Sequence, residues 1–140
     1  GSGTNIDSNK LDDYEEGTFS PTINANGYGS ATRSGFYTKI GMLVFITGII
    51  TNWDNTDNTT NITISSLPFT ANNNNGYING GCIANQSNFQ PTGVIVKSNT
   101  ADMEFIKNNT GNNNFLYMKF NTVYNDTSRS IRFYATYLTG

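Results

Sequence analysis

The stretch Gly35-Phe36-Tyr37-Thr38-Lys39-Ile40-Gly41-Met42-Leu43-Val44-Phe45-Ile46-Thr47-Gly48-Ile49-Ile50-Thr51-Asn52 decides the fold. A short run with aromatic and β-branched residues meets a single Gly, and a nearly unbroken apolar run follows. Met42 to Thr51 is rich in Ile and Val and is closed off by turn residues, a pattern that suits a strand buried on both faces. A buried helix is the rival. Gly48, the β-branched side chains and the tight Ile40-Gly41-Met42 corner argue against it. The stretch therefore predicts a hairpin of Phe36–Ile40 with Leu43–Asn52.

The same pattern of short runs and turn residues continues outward in both directions. Thr18 to Ile23 alternates, with Phe19, Pro21 and Ile23 on one face, and the missing N–H of Pro21 marks an edge strand or a strand entry. Downstream, strands are predicted at Asn61–Ser65, Tyr77–Ala84, Gly93–Lys97, Met103–Ile106, Phe115–Phe120 and Ile131–Leu138. Within Tyr77–Ala84, Gly80-Gly81 signals a bulge or a close backbone approach. Clusters of Asn, Gly and Thr separate these runs, and no segment has a helical period. The expected fold is an all-β, antiparallel β-sandwich or jelly-roll-like head domain. Its expected limits are 18–140, with 1–17 a polar, acidic connector. Gly1-Ser2-Gly3 reads as a cloning-derived lead, so the chain reads as a piece of something longer.

Composition excludes several kinds of chemistry. The 140 residues include no His, which removes Ser-His-Asp and Cys-His catalysis and His-ligated zinc. A single Cys, Cys82, allows no intrachain disulfide. Eight Lys and Arg against ten Asp and Glu leave no basic footprint for nucleic acid. The longest apolar run is too short for a helix to cross a bilayer. Polarity comes instead from 23 Asn and 19 Thr, which compete with helical hydrogen bonds and favour strands and turns.

Leu11-Asp12-Asp13-Tyr14-Glu15-Glu16-Gly17-Thr18-Phe19-Ser20-Pro21-Thr22 closely resembles a segment that opens the C-terminal domain of many bacteriophage tail fibre and tail-associated proteins, where it joins a fibrous stalk to a terminal β-rich head. Gly35-Phe36-Tyr37-Thr38-Lys39-Ile40-Gly41 and Leu67-Pro68-Phe69-Thr70 match the same pattern in the same order. The resemblance covers the first half of the domain. It implies a virion tail component, usually homotrimeric, that contacts the outside of a host cell and often its glycans. It carries over no binding residues, because the shared segments read as scaffold.

Candidate binding residues come from chemistry alone. Sugars stack their apolar C–H faces on aromatic rings, while amides and hydroxyls read their hydroxyl groups. Trp53 sits where the long apolar strand meets the polar Asp54, Asn55 and Asp57, and either stacks on a ligand or caps the core. Tyr77 follows the run Asn72, Asn73, Asn74 and Asn75. Asn112, Asn113 and Asn114 form another amide-rich tip, and Tyr28 lies between two glycines. Polar loops on a rigid sheet tolerate variation, so the loops 53–58, 72–77 and 108–114 are the expected binding surface. Asp102 and Glu104, two residues apart, could form a hydrolytic carboxylate pair, though a domain this small rarely builds a deep cleft. Asp12, Asp13, Glu15 and Glu16 could gather a divalent cation or form a solvated connector.

The expectation is a non-enzymatic receptor-binding tip domain, without cofactor or resident metal. Its expected partners are further copies of itself in a homotrimer and a host cell-surface glycan or other surface receptor. Neither nucleic acid nor membrane insertion is expected, and the place of action is the phage virion at the host exterior. The alternatives are a structural trimerisation or capping knob and, further off, part of a polysaccharide depolymerase.

Overall fold

A computed structural model describes residues 13–24, 32–53, 60–73, 79–84, 91–112, 114–119 and 130–140, at 79 and 82–84 the backbone alone. The described residues form ten strands and no helix. These are β1 (Tyr14–Phe19), β2 (Thr22–Ile23), β3 (Arg33–Ile40), β4 (Leu43–Thr51), β5 (Thr63–Ser65), β6 (Asn79–Ala84), β7 (Gly93–Val96), β8 (Met103–Asn108), β9 (Phe115–Tyr117) and β10 (Ser130–Leu138). All pairings are antiparallel. The order is β1-β3-β4-β10-β6-β7-β8-β5-β2, with β9 attached to β8.

Chain connectivity forces this sheet to curl. β1 and β2 stand at opposite ends of the strand order, yet only Ser20 and Pro21 separate them. Three virtual bonds span at most about 11 Å. A flat sheet would hold the two edges about 38 Å apart at the usual strand spacing. The sheet therefore folds over on itself into a sandwich-like, all-β body. The predicted 18–23 strand is thus divided at Pro21 and supplies both edges.

The β3–β4 hairpin forms as expected. Ile40 pairs with Leu43 around a two-residue turn, and Gly41 has φ +57° at its first position. That sign is costly for other residues and is the type II′ requirement. Three readings of the sequence need correction. β4 is not buried on both faces: Val44, Ile46 and Ile50 are buried, whereas Leu43 and Phe45 are 46% and 45% exposed. The run is apolar throughout because its inner face fills the core while its outer face is left uncovered. The connector boundary also moves, since Tyr14 to Gly17 pair with Ile40 to Tyr37 and belong to the sheet. The strand predicted at Phe115–Phe120 is shorter, ending at Tyr117, with Lys119 held by a bridge to Asn61.

The core lies between the two halves of the curled sheet. β10 contributes Ile131, Phe133, Ala135 and Tyr137 from one face, as its alternation predicts, and β7 and β8 add Val94, Val96, Met103 and Phe105. The close approach expected at Gly80-Gly81 is present. A Cβ at Gly80 would fall 1.8 Å from the carbonyl oxygen of Tyr134 on β10.

Candidate functional site

Among the described residues, the β8–β9 hairpin carries a surface depression on an amide-rich loop. Asn108 pairs with Phe115, Lys107 with Leu116 and Ile106 with Tyr117, so the strands hold the residues between them as a defined tip. Inside the tip, the Asn109 N–H donates to the Asn114 carbonyl at 3.2 Å and the Asn112 N–H to the Asn109 carbonyl at 3.4 Å. The Gly111 N–H donates to Asn109 Oδ1 at 3.3 Å, a short-range bond typical of Asn in turns. On the flank, Thr92 Oγ1 donates to Asn108 Oδ1 at 3.4 Å.

These bonds shape a depression of about 400 Å³ lined by Asn108, Asn109, Asn112, Asn114 and Phe115. Phe115 is 47% exposed. Its ring stands edge-to-face with Tyr117 at 5.6 Å, which fixes its orientation. Asn112 and Asn114 are exposed. The arrangement joins an oriented aromatic surface to side chains that each hold a donor and an acceptor. Such a pair of features suits a ligand with an apolar C–H face and many hydroxyls. The sequence placed Asn112 and Asn114 on a candidate surface but passed over Phe115 as a binding residue, reading it as a strand position. The signal was its place immediately after the amide run.

The other sequence candidates divide. Trp53 is 2% exposed and belongs to the core, so of its two readings the structure has the core cap. Asn52, at φ 54°, turns the chain inward just before it. Asn72 donates its N–H to the Leu138 carbonyl, and Asn73 Oδ1 accepts from Asn99 Nδ2 at 2.9 Å. Asn72 and Asn73 therefore lie with the turn that precedes β8, whereas Asn112 and Asn114 follow its far end. A six-residue strand separates these ends by about 17 Å. The described residues of the 72–77 and 108–114 loops thus lie toward opposite ends of β8. Tyr28, Asp54, Asn55, Asp57, Asn74, Asn75, Tyr77 and Asn113 lie outside the described residues.

Glu104 does not face an open cleft. It is 7% exposed, lies 3.4 Å from Lys97 Nζ, and accepts from Asn61 Nδ2 at 3.4 Å and Thr63 Oγ1 at 3.5 Å. Its partners make it a satisfied structural carboxylate. Asp102 precedes β8 and accepts the Lys97 N–H through its carbonyl. The acidic residues of β1 are also parted by the strand's alternation. Glu15 accepts from Tyr37 and Glu16 from Tyr14, at 2.7 and 2.6 Å. Each phenol is pushed above its ordinary pKa, first by that hydrogen bond to a carboxylate. Among the described residues, no three His, Cys, Asp or Glu side chains gather as a metal site.

The segments that carry the tail-fibre resemblance meet in space. β1 pairs with β3, and the Tyr37 ring of β3 stands edge-on to Phe69 at 5.2 Å. Lys39 Nζ lies 5.7 Å from the centre of the Phe69 ring. Their shared role here is packing. Comparison with known protein families, curated proteins and solved structures returns no match to this chain.

Proposed function

We propose that this chain is the receptor-binding head of a bacteriophage tail fibre, a non-enzymatic homotrimer that attaches to a glycan on the host cell surface. The observation that carries the glycan reading is the β8–β9 depression, where Phe115 and four Asn residues surround about 400 Å³ of open space. An oriented ring beside amides matches a sugar's alternation of C–H faces and hydroxyls. A site this shallow binds weakly by itself, and repeating it in several linked copies raises avidity without any new contact. The resemblance of the β1, β3 and 67–70 segments to tail proteins supports the virion context.

The test is binding of the protein to host cells and to polysaccharide extracted from them, with Phe115→Ala and Asn112→Ala compared against the parent. Loss of about tenfold or more in affinity, with the fold intact, is expected. Unchanged adsorption in both variants removes this site from the reading and leaves the structural knob. Shortened polysaccharide chains after incubation would instead identify a depolymerase.

A further inference from the structure

The outer face of the β1-β3-β4-β10 sheet is uncovered. Strand alternation and register place Tyr14 on β1, Phe36 and Ile40 on β3, Leu43 and Phe45 on β4, and Tyr134 on β10 on this one face. All six are exposed, Phe36 by 60%. They adjoin one another across the ladders. Ile40 lies between Tyr14 and Leu43, Phe36 and Tyr134 flank Thr47, and Thr38 and Thr136 flank Phe45.

We infer that this face is where copies of the chain meet. Its size is the first argument. Six large apolar side chains, each about half exposed, offer roughly 600 Å² before the intervening threonines are counted. One partner in a stable complex contributes about 800 Å², while the largest patch on an ordinary monomer is about 300–600 Å². Charge is the second argument. Among the described residues of this face, only Glu16 on β1 and Arg132 on β10 carry charge, and they sit on opposite flanks. A neutral face presents no like-charge repulsion to its own copy, and it offers no excess of one sign to steer a differently charged partner.

No single stretch outside the described residues matches this face in composition. Residues 1–12 hold two large apolar side chains, Ile6 and Leu11, residues 25–31 hold Tyr28, residues 74–78 hold Tyr77 and Ile78, residues 85–90 hold Phe89, and residues 120–129 hold three, Phe120, Val123 and Tyr124. None of them brings six. A second copy does, because it brings the same face. This deepens the trimeric-head reading by naming the contact surface, and it does not depend on the glycan.

The test is the mass of the protein in solution across a range of concentrations, together with the variants Phe36→Thr and Phe45→Thr. Threonine keeps the β-propensity of each position, and circular dichroism checks that the sheet is retained. A parent mass of two or three times the 15.3 kDa chain, with self-association weakened about tenfold or more in the variants, is the expected result. A parent that stays at one chain at every concentration overturns both the inference and the trimeric reading. A parent that is oligomeric, with folded variants equally so, overturns only the choice of face. A photo-cross-linking amino acid in place of Phe36 gives a second readout that does not depend on how the variants fold. Covalent multimers on illumination support the inference, and their absence from an oligomeric protein counts against it. The same replacement at Phe115, on β9, serves as the negative control.

Discussion

The ring of Phe133 on β10 lies directly across the ladder from Gly48 on β4, so close that a Cβ at Gly48 would stand 2.4 Å from Phe133 Cζ. The relationship recurs. Gly35 faces Phe19, Gly17 faces Tyr37 and Gly81 faces Tyr134. At each place, the absent side chain makes room for a ring to lie across the neighbouring strand. Aromatic rings thus cover backbone that glycine would otherwise leave bare, which helps a sheet with few Leu and Val residues to build a continuous core. Gly48→Ala is expected to destabilise the protein by about 1–3 kcal/mol, because Phe133 is buried and has little space into which it can retreat. Gly81→Ala should cost the single chain less, measured at concentrations low enough to keep copies apart, since Tyr134 is there exposed and can swing outward. Chemical denaturation of both variants checks the order, and equal losses would contradict it.

Much of this fold is legible in the sequence because period-2 alternation and turn residues are local signals. The β3–β4 hairpin follows from Gly41, and β10 follows from Ile131, Phe133, Ala135 and Tyr137. Burial of β4 was misread because apolar character tells how a residue behaves in water, not whether a neighbour exists to cover it. Phe45 and Ile46 look alike in sequence, but only Ile46 points into the curl of the sheet. The site was half legible for a similar reason. Asn112 and Asn114 stand out by composition, whereas the sequence offers for Phe115 only its place after the amide run, and its candidacy rests on its pairing with Asn108 and its ring contact with Tyr117. The separation of Asn72 from Asn112 depends on strand register, which the order of residues does not reveal.

Tyr137 provides a pH test. It is fully buried, its hydroxyl donates to the Phe69 carbonyl at 3.0 Å, and the Phe69 N–H approaches the same oxygen at 3.3 Å. Burial pushes its pKa up to about 12 from an ordinary 10.0. The folded state then holds this proton more tightly than the unfolded chain. Its contribution is fully present below about pH 10 and is lost as pH rises through about 12. The loss is on the order of 2 kcal/mol. Tyr137→Phe should be less stable at neutral pH, by about 1–2 kcal/mol for the lost hydrogen bonds, and should decline less steeply between pH 10 and 12. Parallel alkaline profiles for parent and variant would refute this account.

Glu104 should behave as a structural carboxylate. Glu104→Ala removes the acceptor of Asn61 and Thr63 and the partner of Lys97, and is expected to cost about 1–3 kcal/mol. Glu104→Gln keeps an acceptor oxygen and should cost less than the Ala change. Adsorption to host cells should be unchanged in both, provided the variants are assayed well below their melting temperatures. Loss of binding in a fully folded Glu104→Gln protein would place Glu104 in a ligand site instead.

Trp53 and Phe115 separate stability from binding most cleanly. Trp53 is buried and is the single Trp of the chain, while Phe115 stands on a strand that, among the described residues, pairs with β8 alone. Trp53→Ala opens a large cavity and is expected to cost about 3–5 kcal/mol, with any loss of adsorption following the loss of folded protein. Phe115→Ala removes a side chain already half in water and should cost about 1 kcal/mol or less, while adsorption falls sharply. Tryptophan fluorescence reports the difference directly. Emission from the parent should be blue-shifted, as for an indole shielded from water, should move to the red only on unfolding, and should stay fixed when glycan binds at the β8–β9 tip. A red-shifted native spectrum, or quenching of Trp53 by bound sugar at native pH, would return the indole to the binding surface and displace Phe115 from it.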